Sequence, residues 1–291
     1  MTCNVKYESS GMSLPPDLSL PLFVYGSLKP GMPAYESIAG LVVGNPMRDH
    51  VAGTLYLRDG LPLLFLKGLR KISGSILNFD SSSLGYEQVC AFEPKSQYQW
   101  AVAETANGFR VNLLTGKQID IGNPVETDSS EWLIKDDPAF GEGLPVVRRV
   151  MEEIITNNQW NAWEKFFRYQ MAYLLLWSIV ERLSAFCIGP RFGPSQRISK
   201  LHTLRGMNAL VDKHIHRTDV VSDTRKPSNK FQLNKLNPED CFKYYYQVRS
   251  NLSHSGKAVP NELEKVMGSL PELLNITEDY LKSLQSLENS Q

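Results

Sequence analysis

Two stretches of this chain hold residue types that do chemistry. In Tyr245–Gly256, YYQVRSNLSHSG, an arginine and a histidine stand five positions apart. Histidine titrates near neutral pH, so His254 can take or give a proton, and Arg249 offers a charged fork to an oxyanion. The surrounding pattern reads as the end of a helix, in which each residue turns by about 100°. Arg249 and His254 then lie about 140° apart around the axis. Bringing them to one site takes a bend near Asn251 or a second copy facing the first. The plainer alternative pairs Arg249 with an acid such as Glu181 and leaves His254 at the helix end before Gly256. The second stretch is Phe23–Gly31, FVYGSLKPG, an apolar strand ending that runs into a turn of small residues. Glycine lets the backbone approach a ligand closely, and N–H groups in such a turn can hold a carboxylate. An ordinary strand–turn junction reads the same way. Two further stretches are weaker. His214 and His216 have an acid on each side but no third ligand at metal-site spacing, so a solvated basic segment is the better reading. No metal and no cofactor is expected. Tyr244, Tyr245 and Tyr246 could stack on bases, but the default is a split between core and surface.

Composition narrows the classes. The chain has 291 residues, enough for two domains, and is 42% hydrophobic and 21% charged, ordinary globular usage. Lysine plus arginine equal aspartate plus glutamate at 31 each, so net charge points to no partner. The distribution is uneven: Arg191–Lys257 holds thirteen basic residues against five acidic ones. Such a face can attract the phosphates of RNA, or can be a solvated surface. Four widely spaced cysteines show no paired or zinc-type spacing and suit a reducing, cytoplasmic setting. The first residues lack a secretory signal pattern, and the apolar run Met171–Val180 is too short to span a bilayer, so no membrane is expected.

These stretches need elements to position them. Short apolar runs at Leu22–Val24, Thr54–Leu57, Ile76–Phe79 and Trp100–Val102, separated by Gly, Pro, Asp and Ser, predict strands. A short helix is predicted over Ser82–Phe92 behind a serine cap. FRVNLL and KQIDIG give weaker strand signals, and NPVETDSSEW reads as a linker. After Pro145 the pattern turns helical. EKFFRYQMAYLLLWSIVERLSAF is apolar on nearly all sides, which predicts a long helix buried in a bundle. SQRISKLHTLRGMNALVDKHI predicts a shorter, basic helical piece, and VVSDTRKPSNKFQLNKL a polar loop. Asn237-Pro238-Glu239-Asp240 is a helix start, and a last helix over Asn261–Leu284 is bent or broken at Pro271. The chain is thus expected to be α+β, with a first domain over 18–120, a linker over 121–144 and a helical domain over 145–291.

FVYGSLKPG, with GSILNFD, a short helix and AFEPKSQYQW following in order, resembles the gamma-glutamylcyclotransferase-like family across Leu18–Val102. The resemblance implies a small mixed β-barrel flanked by short helices. It implies that Tyr25, Gly26, Ser27 and Leu28 bind a gamma-glutamyl head group and that Glu93 is the general acid/base. Cyclising a gamma-glutamyl amide uses the substrate's own α-amine as nucleophile. A carboxylate must take its proton and later protonate the leaving amine. Phe92 and Pro94 flank Glu93 and would desolvate it. The chain departs from the family at Gln99-Trp100, where an arginine is usual after the tyrosine matching Tyr98.

YYQVRSNLSHSGK resembles the R-x4-H signature of the HEPN family, in the form R-x-N-L-x-H-x-G-K. LLWSIVERL resembles the first long helix of the same bundles, where an acid like Glu181 faces the arginine. This likeness spans Val146–Leu284. It implies a four- or five-helix bundle, a homodimer through the helical domain with a composite site, and metal-independent RNA cleavage by Arg249 and His254 with Asn251 assisting. Ser250 departs from many active members, which carry Asn, His or Asp there. By family analogy alone the protein is a toxin or antiphage defence effector, with room for an antitoxin partner. Two alternatives stand beside it. In one, the chain is a cyclotransferase releasing 5-oxoproline and the helical half only dimerises it. In the other, it is a ligand sensor without turnover.

Overall fold

The computed structural model describes residues 12–93, 95–117, 124–189, 192–254 and 260–288, without the side chains of residues 254, 260, 261 and 286–288. The expected KQIDIG strand, Cys3 and the N-terminal stretch read for a signal fall largely or wholly outside these residues, as do Pro94, Pro190, Gly256 and Lys257. The chain is α+β. It divides into two compact units, one running to Asp137 and one made of Pro138–Ile188 and Phe192–Ser286.

The first unit is a curled six-stranded half-barrel sheet. Its elements are β1 (Leu22–Val24), β2 (Val42–Arg58), β3 (Leu61–Phe79), the helix α1 (Ser82–Phe92), β4 (Tyr98–Glu104), β5 (Arg110–Gly116) and β6 (Val125–Glu126). The strand order is β4-β5-β1-β3-β2-β6. β1 runs parallel to β5 and antiparallel to β3. Strands β2 and β3 form one long hairpin, so the short runs Thr54–Leu57 and Ile76–Phe79 are parts of longer strands. Asp59 and Gly60 turn it with φ of 52° and 77°, the paired positive angles of an Asp-Gly hairpin. Register shifts after Val43 and Gly53 bend the ladder, as β-bulges do. Leu22, Val24, Leu28, Leu63, Leu77, Tyr86, Val89, Tyr98 and Leu114 fill the core inside the curl. The segment expected as a linker does structural work in its described part. Val125 and Glu126 pair with Leu57 and Tyr56, and Trp132 is fully buried with its indole N–H donating to the Gly60 carbonyl at 2.9 Å.

The second unit holds α2 (Leu144–Thr156), α3 (Ala162–Ile188), α4 (Pro194–Lys200), α5 (Met207–His214), a hairpin of β7 (Asp219–Ser222) and β8 (Lys230–Leu233), α6 (Pro238–His254) and α7 (Pro260–Glu288). Asn161 starts α3 with a capping box: its Oδ1 accepts from the Trp163 and Glu164 N–H groups, and Glu164 accepts from the Asn161 N–H. By length and composition α3 could cross a membrane, and half of its most apolar window is buried within the protein. The hairpin corrects the expected polar loop. Val221 and Leu233 are completely buried, and Val221 faces Phe231 across the ladder. Two short apolar anchors hold a polar tip. Pro271 does not break α7, which runs through it. Buried Leu270, Leu273 and Leu274 flank the proline, and tertiary packing of this kind overrides local propensity.

Candidate active sites

The first candidate site begins where β1 ends. Tyr25 is buried, and its hydroxyl donates to the Leu114 carbonyl at 2.7 Å while accepting from the Leu64 N–H at 3.2 Å. The chain then turns sharply, with the Lys29 N–H donating to the Gly26 carbonyl at 3.0 Å. A Cβ at position 26 would lie 2.7 Å from the Pro62 side chain, so this close approach needs glycine. Ser27 and Leu28 are buried behind it.

Glu93 follows the last turn of α1. Its N–H still donates to the Val89 carbonyl at 2.9 Å, and its own backbone is extended. Burial pushes the Glu93 carboxyl up to about 7 from an ordinary 4.5. Tyr98, the first residue of β4, donates its hydroxyl to the Pro62 carbonyl at 3.1 Å. Burial raises the Tyr98 phenol far above its ordinary range, with the charges of Glu93 and Tyr25 adding to the effect. Tyr25 is raised likewise, first by burial and then by Glu93 against the Leu64 hydrogen bond. The loop tyrosine, the acid and the β4 tyrosine therefore share one electrostatic environment. Arg58 joins it: it is 4% exposed and its charge acts on Tyr98 in the opposite sense. Nothing in the sequence singled Arg58 out. Its only signal is its place just before the Asp59-Gly60 turn, at a strand end where alternation fails. It brings a buried cation close to Tyr98. A cavity of about 150 Å³, lined by Lys29, Arg48, Ser73, Ser75 and Glu131 among others, also borders this loop. There the buried Lys29 ammonium meets Glu131 at 2.5 Å.

The second candidate site lies at the end of α6. Arg249 Nη2 sits 3.8 Å from Glu181 Oε1 on α3. That oxygen accepts from the Trp177 indole N–H at 2.7 Å, and the Trp177 ring meets Tyr246 edge-on at 5.8 Å. Asn251 is 1% exposed and heavily engaged. Its Nδ2 donates to the Ser222 carbonyl at 2.9 Å, and its Oδ1 accepts from Gln247 at 2.7 Å and from the Thr224 N–H at 3.3 Å. These contacts tie the β7–β8 hairpin to α6. The backbone is helical through residue 254 with no break at Asn251. Positions 249 and 254 therefore keep the divergence of about 140° that an unbroken helix imposes. The side chain of His254 lies outside the described residues. Tyr244 and Tyr245 are wholly buried, whereas Tyr246 is half-buried.

Both buried tyrosines join a polar network beneath the site. Tyr244 donates to Asp219 at 2.6 Å and Tyr245 to Glu272 at 2.9 Å. Arg217 grips Glu272 with two bonds, of 2.9 and 3.0 Å. His214 pairs with Asp279 at 2.9 Å. Among the described residues no group of three or more His, Cys, Asp or Glu side chains is placed to hold a metal.

No family model matches the chain, and no curated protein matches it. Among solved structures the chain is similar to an uncharacterised protein from Pyrococcus horikoshii. The two are 20% identical over 39% of this chain and 89% of that one, with a TM-score of 0.32.

Proposed function

We propose that the first unit is a gamma-glutamylcyclotransferase-like site that converts a gamma-glutamyl amine to 5-oxoproline and the free amine. One observation carries this reading: a desolvated Glu93 carboxyl poised near pH 7 beside the buried phenols of Tyr25 and Tyr98. An acid half-protonated at the working pH can both accept and return a proton. Glu93 takes a proton from the substrate's α-ammonium, and the freed amine attacks the γ-carbonyl carbon. The C–N bond to the leaving amine breaks as Glu93 returns the proton to it. The turn from Tyr25 to Leu28 holds the head group, and Arg58 supplies a positive charge in a buried setting. The test is release of 5-oxoproline from a panel of gamma-glutamyl amines, measured by mass spectrometry with wild type beside Glu93→Gln. No product from any member of the panel refutes turnover and leaves a binding-only sensor.

A second reading belongs to the helical unit and rests on the R-x4-H resemblance, with which the Arg249–Glu181 pair agrees as it also does with an ordinary helix-end ion pair. In this reading the unit is a HEPN-type ribonuclease. The 2′-OH of RNA attacks the adjacent phosphate, His254 exchanges the proton and Arg249 stabilises the oxyanion, with no metal required. Asn251 acts as a positioning residue. Two copies must face each other. Trp163, Phe167, Met171 and Leu175 support that arrangement, since they stand 37–64% exposed in a row of four-residue steps along α3. Digestion of total RNA in the presence of chelator tests it, and cleavage that survives His254→Ala defeats it. Cys90, Cys187 and Cys241 are buried free thiols, in keeping with a cytoplasmic defence effector.

A further inference from the structure

The β7–β8 hairpin has a firmly held base and a charged tip. At the base, Asn251 binds the Ser222 carbonyl and the Thr224 N–H. Lys265 of α7 donates to the Val220 carbonyl at 2.8 Å and to Asp219 at 2.9 Å. The tip is closed by its own backbone. The Asp223 N–H donates to Asn229 at 3.0 Å, and the Asn229 N–H donates to Lys226 at 2.8 Å. Its cations face outward: Arg225, Lys226 and Lys230 are exposed. Elsewhere in the unit, Lys213, Lys235, Lys243, Lys265 and Lys282 each meet a carboxylate within 4 Å, whereas among the described residues the exposed Arg149 and Arg205, like the hairpin lysines, do not. Among the described residues Lys226 and Lys230 meet none, and Arg225 reaches only Asp223, at 3.8 Å. Residues 224–229 carry no large apolar side chain to enter a bilayer, so the ligand chemistry is a polyanion.

The placement says which polyanion. The residue that clamps the hairpin is Asn251, inside the R-x4-H stretch. Position 254 lies about 60° round the axis from it and one turn further on. We propose that Arg225, Lys226 and Lys230 form a preformed contact for the sugar–phosphate backbone of a single RNA strand, leading it to the end of α6. This rests on the ribonuclease reading of the helical unit. It adds to that reading the element that holds the substrate and a second role for Asn251, which fixes the guide to the catalytic helix.

The test uses the full-length chain carrying His254→Ala, which separates binding from cutting. Anisotropy of a labelled oligouridine is followed over a salt series, with and without Arg225→Gln, Lys226→Gln and Lys230→Gln together. Losing three phosphate contacts should weaken binding on the order of ten- to a hundredfold at low salt. It should also flatten the salt dependence by about two log units per log unit of salt. Lys95→Gln, a charge change in the other unit, is the control, and a thermal melt confirms that the triple variant folds. Equal affinity and an equal slope in the triple variant overturn the guide while leaving the ribonuclease reading intact. If the chain binds no oligouridine and the wild type cuts no RNA, the underlying reading falls and the guide falls with it.

Discussion

The two candidate sites differ in where their chemistry is kept. Burial within one unit raises the Glu93 carboxyl to about 7, a property of a single chain. Arg249 is 28% exposed and pairs loosely with a 32% exposed Glu181. A site built by desolvation is complete in the monomer and carries an internal cost, because a carboxyl held out of water destabilises the fold when ionised. On the proposed ribonuclease reading, the second site would be complete only when two copies face each other. On the proposed readings, stability and activity are coupled at the first site and independent at the second.

The largest expected effect tests the first half of that contrast. Glu93→Gln should cut 5-oxoproline release by about 10²–10⁴-fold, the usual worth of a positioned acid/base. The same substitution should raise stability at alkaline pH. The folded-state value of Glu93 is about 7 against an ordinary 4.5. Its contribution is therefore intact below pH 4.5 and lost as pH rises through 7. At pH 8 the Gln variant should gain about 3 kcal/mol on wild type, falling towards zero near pH 4, as read by urea titration at the two pH values. Equal stability of the two proteins at pH 8 would show that Glu93 is solvated. In the helical unit, Asn251→Ala should cost about 1–2 kcal/mol, since it removes the bonds to the half-buried Ser222 and to the Thr224 N–H and leaves the buried Gln247 amide without its acceptor. Hydrogen exchange should show the loss concentrated in β7. The smallest effect belongs to Arg249→Ala. It should change stability by less than about 1 kcal/mol while removing RNA cleavage. A large stability loss there would erase the distinction between the two regions.

Local signals were the legible ones. Asn237-Pro238-Glu239-Asp240 marks the start of α6 because a helix start is decided within one turn: the Asp240 and Cys241 N–H groups donate to the Asn237 carbonyl, and Asn237 Nδ2 donates to the Asp240 carboxylate at 2.6 Å. The apolar run of α3 and the alternation of the first unit were equally plain. What stayed hidden depends on distant partners. Residues 220–236 read as a loop because only Val221 and Leu233 are anchored, and both are anchored by other elements. Trp132 looked like part of a linker, since its partner is the Gly60 carbonyl far earlier in the chain. Arg58 carries no motif at all. Its significance comes from burial near Tyr98, which only the curled sheet creates. Asn251 was visible as a polar motif residue, but its engagement with Ser222 and Thr224 could not be read from spacing.

β1 is three residues long and lies in mid-sheet, bonded on one side to Ser75–Leu77 and on the other to Asn112 and Leu113. It has no neighbour close in sequence. During synthesis the strand that delivers Tyr25 is made early, yet its second edge is capped only when Asn112, ninety residues later, has emerged. The first residues of the first candidate site are therefore made well before the strand that completes its sheet. A nascent chain halted before β5 would carry every residue of that site without the sheet that brings them together.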